Sequence, residues 1–493
     1  MPSTPNLSTD PGPMPAAGVR PQPVQGWRWA PAWILAHVAL WPAPGYAEAV
    51  LALGALVALG KLVLSRFRGG DQLLSHQAWA LTSVLFFAYW LPELVSAFDA
   101  VHRAHAFTQA VEDLRYLPFL WLAASAVANE RGRRVTFGGL AVILAVWVVD
   151  ALLQAAVGTS PLFFGIDAIK HAISGHGMCS AAEVAAVDRL SGVLGPCNLK
   201  LGVVVASLSP FLLYAAANRF GTAGWMASAA LVGLVVMLAG ARAAWLTFAL
   251  VLVFSGWRLL GWKKLALTLA FGAMALVALG VGSPLVRERL ARTAHALNAD
   301  ESGVDMALSG RARIWSAAAC MAREHPFNGV GARGFRDAFP ACDAERGKPA
   351  AWGEGPAFHA HQIVLEILSE TGGFGLLMWL AGAAMAWRAW RFSPAAARER
   401  ARPAMLALGL PVSISGPLAN LLAVPLLGVL VVPLALLGTL LLPVPWLGET
   451  CLWLAGGLLH GLFLVLTQVA AVLPAWLPVA PPLWAWCAAP TWM

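Results

Sequence analysis

Apolar runs long enough to cross a bilayer recur along most of this chain, separated by short polar loops and interrupted once by a long polar island. The runs lie near 29–43, 45–64, 77–97, 114–128, 135–157, 199–217, 223–240, 242–257, 264–283 and 363–387, with two to four more within 404–490. A hydrocarbon core about 30 Å thick needs about 20 apolar residues in helical form. Lipid offers the backbone no partner, so such runs must be helices. The pattern therefore predicts an all-α, polytopic membrane protein of about 12 transmembrane helices with one large helical loop. Its divisions are a tail at 1–26, helices across 27–284, the loop at 285–361, a helix and basic loop at 362–402, and C-terminal helices at 403–493.

Composition agrees. The 493 residues are 59% hydrophobic and only 12% charged, about half the charge of a soluble domain. Twenty-three tryptophans suit anchoring at the two interfaces. The net charge of +8 resides in loops: Lys61, Arg66 and Arg68; Arg131, Arg133 and Arg134; Arg219; Arg258, Lys263 and Lys264; and Arg388 to Arg402. By the positive-inside rule these five loops are cytoplasmic, and the intervening loops and the island face outward. The proline-rich stretch from Met1 to about Gln25 lacks a signal-peptide pattern and reads as a disordered cytoplasmic tail. Cys179 and Cys197 share one outer loop, and Cys320 and Cys342 share the island. Pairing within each would suit an oxidising periplasm; four free thiols is the alternative. Cys451 and Cys487 lie in the apolar tail.

The island, from about Ser283 to His361, carries Ser309-Gly310-Arg311, Trp315, His325-Pro326 with Gly329-Val330-Gly331, and then His361-Gln362-Ile363-Val364-Leu365-Glu366. Before it, Arg242 stands at the outer end of an apolar helix. An arginine there either snorkels to the interface or has a ligand. Guanidinium suits phosphate because it pairs bidentately and stays charged. Arg311 follows Ser309, a residue suited to capping a helix whose N-terminus would face an anion; Arg313 is its competitor. His361 lies where the chain re-enters the membrane and is suited to taking a hydroxyl proton near neutral pH. His359 is two residues away, and a purely structural histidine is the plainer reading. Arg115, Lys200 and Arg189 are further candidates for holding a pyrophosphate, with ion pairing to neighbours equally open. Glu93, Asp99, His102, Arg103, Glu112 and Asp113 suggest a surface helix between two spans. No HExxH, CxxC pair or Asp-x-Asp cluster points to a metal in the outer segments, no cofactor is implied, and no Walker loop points to a nucleotide.

Ala241-Arg242 with Trp245-Leu246, Ser309-Gly310-Arg311 with Trp315, His325-Pro326 with Gly329-Val330-Gly331, and His361 to Glu366 with Thr371-Gly372 together resemble the O-antigen ligase and polymerase superfamily, in the order and spacing of the ligase branch. The resemblance covers roughly 28–400. It implies a GT-C glycosyltransferase of the bacterial inner membrane, acting on the periplasmic face. Such an enzyme transfers glycan from undecaprenyl pyrophosphate to lipid A-core, without metal. Positions matching Arg242 and Arg311 engage the donor pyrophosphate, and the match to His361 is essential. Two positions depart from the pattern: Ala241 where serine is frequent and Gln362 where asparagine is. Partners are then the undecaprenyl-pyrophosphate-linked glycan, lipid A-core and membrane lipids.

Beyond about Pro403 the charge nearly disappears and prolines multiply. The run from Ser413 to Pro425 resembles the membrane segment of DNA-importing competence proteins, which suggests two sequences joined near 403–412. No basic groove accompanies it, so nucleic acid is not an expected partner. The alternatives are an O-antigen polymerase, a protein O-oligosaccharyltransferase, a transporter of lipid-linked sugar, or a membrane scaffold.

Overall fold

A computed structural model describes residues 26–68, 73–180, 183–184, 189–269, 272, 311–347, 355–409 and a few positions between 446 and 461. For 66–68, 242–243, 312 and 408–409 it describes the backbone alone. The expected N-terminal tail, most of the span at 264–283, Ser309-Gly310 and nearly all of the C-terminal spans lie outside the described residues.

The described chain is all-α, with no strand. Its helices are α1 (Ala30–Ala39), α2 (Pro44–Arg68), α3 (His76–Ala97), α4 (Arg103–Asp113), α5 (Tyr116–Ala126), α6 (Glu130–Val157) and α7 (Pro161–Ser174). After a 3-10 turn come α8 (Leu201–Leu238), α9 (Arg242–Leu260), α10 (Arg311–Glu324), α11 (Phe335–Cys342), α12 (Ile363–Phe392) and α13 (Ala395–Gly409). Their starts follow capping chemistry: the side chains of Ser75, Asn129 and Ser160 accept from Ala78, Gly132 and Phe163 N–H. Among the described residues, α2, α3, α6, α8 and α12 are long and apolar enough to cross a membrane.

Three elements differ from the hydropathy reading. The 29–43 and 114–128 stretches yield α1 of 10 residues and α5 of 11, about 15–17 Å long and only half a hydrocarbon core. Part of their apolar sequence goes into turns instead, such as the Ala43 N–H to Leu40 carbonyl bond of 2.8 Å. Both short helices sit inside the bundle. Ile34 and Val38 of α1 and Phe119, Leu120 and Leu122 of α5 are buried with Phe86, Leu144 and Trp147. The third is α12, read as one span, which breaks at Gly372 (φ 66°, ψ −165°).

Two spans are recovered inside α8. Gly221 (φ 64°, ψ −149°) reverses the chain, and a Cβ on Gly202 would lie 3.0 Å from Ala239 Cβ. The limbs therefore return antiparallel, as the separate runs at 199–217 and 223–240 predict. Facing outward, Leu56, Val142 and Leu377 are 66%, 63% and 68% exposed, an exposure that suits lipid rather than water. Between α3 and α5, α4 is the expected surface helix for Arg103 and Glu112, whereas Glu93 lies inside α3 and both it and Asp113 are buried in the packing.

Candidate functional site

The described part of the island folds onto α12 around Gly372 through main-chain bonds. At the Gly372 break the helix leaves carbonyls without their i+4 donors, and the His325–Gly331 loop supplies replacements. Val330 N–H donates to Ser369 O (2.8 Å) and Gly331 N–H to Glu370 O (3.0 Å). In return Gly373 and Phe374 N–H donate to Pro326 O (2.8 Å) and Phe327 O (3.1 Å). Glycine is required on both sides. A Cβ at Gly329 (φ 69°) would sit 2.3 Å from Glu370 C, and one at Gly372 would sit 2.2 Å from Phe327 O. Val101 N–H to Val330 O (3.1 Å) ties the same loop to the α3–α4 turn. Ile314, Ala317, Ala318 and Met321 of α10 form a small core with Phe335 and Phe339 of α11 and with Ala357 and Ala360. The expected pairings are present: Cys320–Cys342 joins α10 to α11, and Cys179–Cys197 closes the loop between α7 and α8.

His361 lies just before α12 with φ 53°, in the left-handed region, although it is not glycine. Such strain tends to gather at functional sites. Its ring centroid is 4.1 Å from that of His359. Burial, then the charges of His359, Arg311 and Lys200, push its pKa down to about 4. His359 is also lowered, by burial and then by Lys200, and burial lowers Lys200 itself. Arg311, the first residue of α10, and Lys200, the N-cap of α8, thus share one electrostatic neighbourhood with the imidazole.

The remaining candidates divide. Arg242 opens α9, and the preceding Ala241 packs on Gly202: a Cβ there would lie 3.7 Å from Ala241 Cβ. Its backbone therefore adjoins the Lys200 end of α8, while its side chain lies outside the described residues. Arg189 precedes Leu190, whose N–H donates to Leu238 O at 3.4 Å, so its backbone approaches the same turn. Arg313 points elsewhere. It holds Asp343 bidentately at 2.7 and 2.6 Å and donates to Glu345 O at 2.8 Å. Arg115 pairs with Glu48 at 2.8 Å. Both sit against carboxylates, as the ion-pair reading allows. Trp245 Nε1 donates to Val236 O at 3.1 Å and serves packing.

Asn198, two residues before Lys200, was not singled out by the sequence. Its Oδ1 is buried and accepts no hydrogen bond, and an isolated Asn in a loop has no pattern to flag it. Among the described residues one cluster has three metal-ligand side chains in mutual reach, Cys320, Glu324 and Cys342. Its two sulfurs are joined to each other.

Chemically, the arrangement offers a neutral imidazole within the field of nearby cations at one end of the bundle, suited to an anionic leaving group and a hydroxyl nucleophile. Residues 227–380 match the family model described as O-antigen ligase, and residues 371–493 match the one described as competence protein. The second match starts inside α12, ahead of the join expected at 403–412. No curated protein matches the chain. Through the segment that carries Arg242, Arg311 and His361 this protein is similar to the O-antigen ligase family, and through its C-terminal segment to competence proteins.

Proposed function

We propose that this protein is an O-antigen ligase, transferring a glycan from undecaprenyl pyrophosphate to lipid A-core at the periplasmic face of the inner membrane. The observation that carries the reading is His361, held neutral within the field of Arg311 and Lys200, inside the segment similar to O-antigen ligases. The two disulfides support an oxidising outer face for that segment.

In this reaction an imidazole nitrogen of His361 takes the proton of the acceptor hydroxyl as its oxygen attacks the anomeric carbon. The bond from that carbon to the pyrophosphate oxygen breaks on the opposite side. Undecaprenyl pyrophosphate departs, and the configuration inverts. Arg242, Arg311 and Lys200 take up the charge developing on the leaving oxygen. An unliganded His361 with a pKa of about 4 is a weak base. The bound pyrophosphate offsets the neighbouring cations, which raises imidazole basicity at the moment a proton must be accepted. The cations supply the charge that a metal would, so activity survives exhaustive chelation.

The test is transfer by purified protein given undecaprenyl-pyrophosphate glycan and rough lipopolysaccharide. A laddered product is expected, with loss of about 3 kcal/mol, roughly a hundredfold in rate, on Arg311→Ala, and with His361→Ala inactive. Normal transfer by either variant defeats the role assignment; a product on a lipid-linked glycan or a protein serine points to the polymerase or protein-transferase alternatives.

A further inference from the structure

We propose that Trp315 and Glu366 are positioning residues that clamp the two peptide units flanking Ala360 and so hold His361 in its working pose. The inference rests on the reading of His361 above. Trp315 Nε1 donates to Ala360 O at 3.0 Å, and Ala360 N–H donates to Glu366 Oε2 at 2.6 Å. Ala360 is fully buried, so neither bond is shared with solvent. On the other side of His361, Gln362 caps α12: its Oε1 accepts from Leu365 N–H at 2.5 Å. His361 is thereby fixed at both neighbours while its own backbone takes a left-handed turn. An unsupported non-glycine residue relaxes out of that region, and its ring would swing away.

The clamp also explains a spacing. Trp315 is one helical turn beyond Arg311, so both project from one face of α10. The contact that holds the imidazole segment therefore sets its distance from the Arg311 cation. Glu366 is likewise one turn into α12. A tryptophan and a glutamate bordering the site thus act on main chain, not on substrate.

The experiment compares full-length Trp315→Phe, Glu366→Ala, Glu366→Gln and His361→Ala in nanodiscs by two readouts. The first is glycan transfer with kcat and donor KM separated. The second needs no activity: carbethoxylation of His361 by diethyl pyrocarbonate without substrate, read by peptide mass spectrometry with His325 as internal reference. Phenylalanine keeps the ring and removes only the N–H donor; glutamine keeps an acceptor oxygen. Trp315→Phe and Glu366→Ala are expected to lower kcat about tenfold or more, with donor KM held within about twofold, and to raise His361 labelling. Glu366→Gln is expected to recover most of both. Unchanged kcat and labelling in the first two variants overturns the clamp, as does lost activity with unchanged labelling. Should His361→Ala stay active, the proposed function itself falls, and the clamp loses its purpose with it.

Discussion

The backbone N–H of Gly331 donates to the carbonyl of Glu370 at 3.0 Å, joining a loop of the polar island to an oxygen that the α12 break releases. Two residues on, the same helix supplies the dihedral exception that makes the joint possible: Gly372 at φ 66°. Two sequence motifs, His325-Pro326 with Gly329-Val330-Gly331 and Thr371-Gly372, are therefore the two halves of one hydrogen-bonded joint. The joint adjoins α12, at whose start His361 stands within the electrostatic reach of Arg311.

Because a Cβ at position 372 would sit 2.2 Å from Phe327 O, Gly372→Ala is expected to cost about 3 kcal/mol or more and to loosen the island. Thermal unfolding in detergent and protease sensitivity of the island would show it. Gly165→Ala, where nothing lies within 4 Å of an added Cβ, is the matched control and is expected to unfold like the parent. Equal behaviour of the two would contradict the joint.

Arg313 should report on stability rather than on the donor. Its bidentate hold on Asp343 keeps that carboxyl below the usual range. Removing one partner of this part-buried, charge-assisted pair costs about 1.5–3 kcal/mol. Arg313→Met is thus expected to lower Tm while donor KM in the folded fraction stays within about twofold. A rise in KM with unchanged Tm would return Arg313 to the substrate site.

The pH profile follows from the His361 shift. Its pKa lies at about 4, below the ordinary 6.5, so the free imidazole is already neutral across the working range. Transfer measured as kcat/KM is expected to be flat from about pH 5.5 upward and to fall only toward pH 4, since that ratio reports the free enzyme. Lys200→Met removes one of the charges that depress the imidazole, so its acid limb should move up. An acid limb near 6.5 in the unmodified protein would contradict the electrostatic neighbourhood.

Reduction should loosen the island. The Cys320–Cys342 link spans 22 residues of sequence and joins α10 to α11, a closure worth about 3 kcal/mol by chain entropy. Cys320→Ser with Cys342→Ser is expected to lower the unfolding midpoint and to leave the double variant less sensitive to reductant than the parent. A reductant effect undiminished in the double variant would assign it to Cys179–Cys197 instead.

Hydropathy was enough to establish an all-helical membrane protein, because in lipid an apolar run has no alternative to the helix. It was also enough to separate the two limbs of α8, since Arg219 and Gly221 interrupt the apolar pattern locally. Both cysteine pairings were likewise legible, as each depends on residue type and order. Other features depended on contacts between distant segments, which composition does not encode. The shortness of α1 and α5 is one: buried helices inside a bundle need not reach across a bilayer by themselves. The assignment of Arg313 to Asp343 and Arg115 to Glu48 is another, because a guanidinium serves whichever carboxylate the fold brings near. The left-handed turn at His361 was hidden for the same reason: the indole bonded to the adjacent Ala360 carbonyl lies 45 residues before that alanine. Local chemistry decided what each segment is, and tertiary packing decided which charge meets which partner.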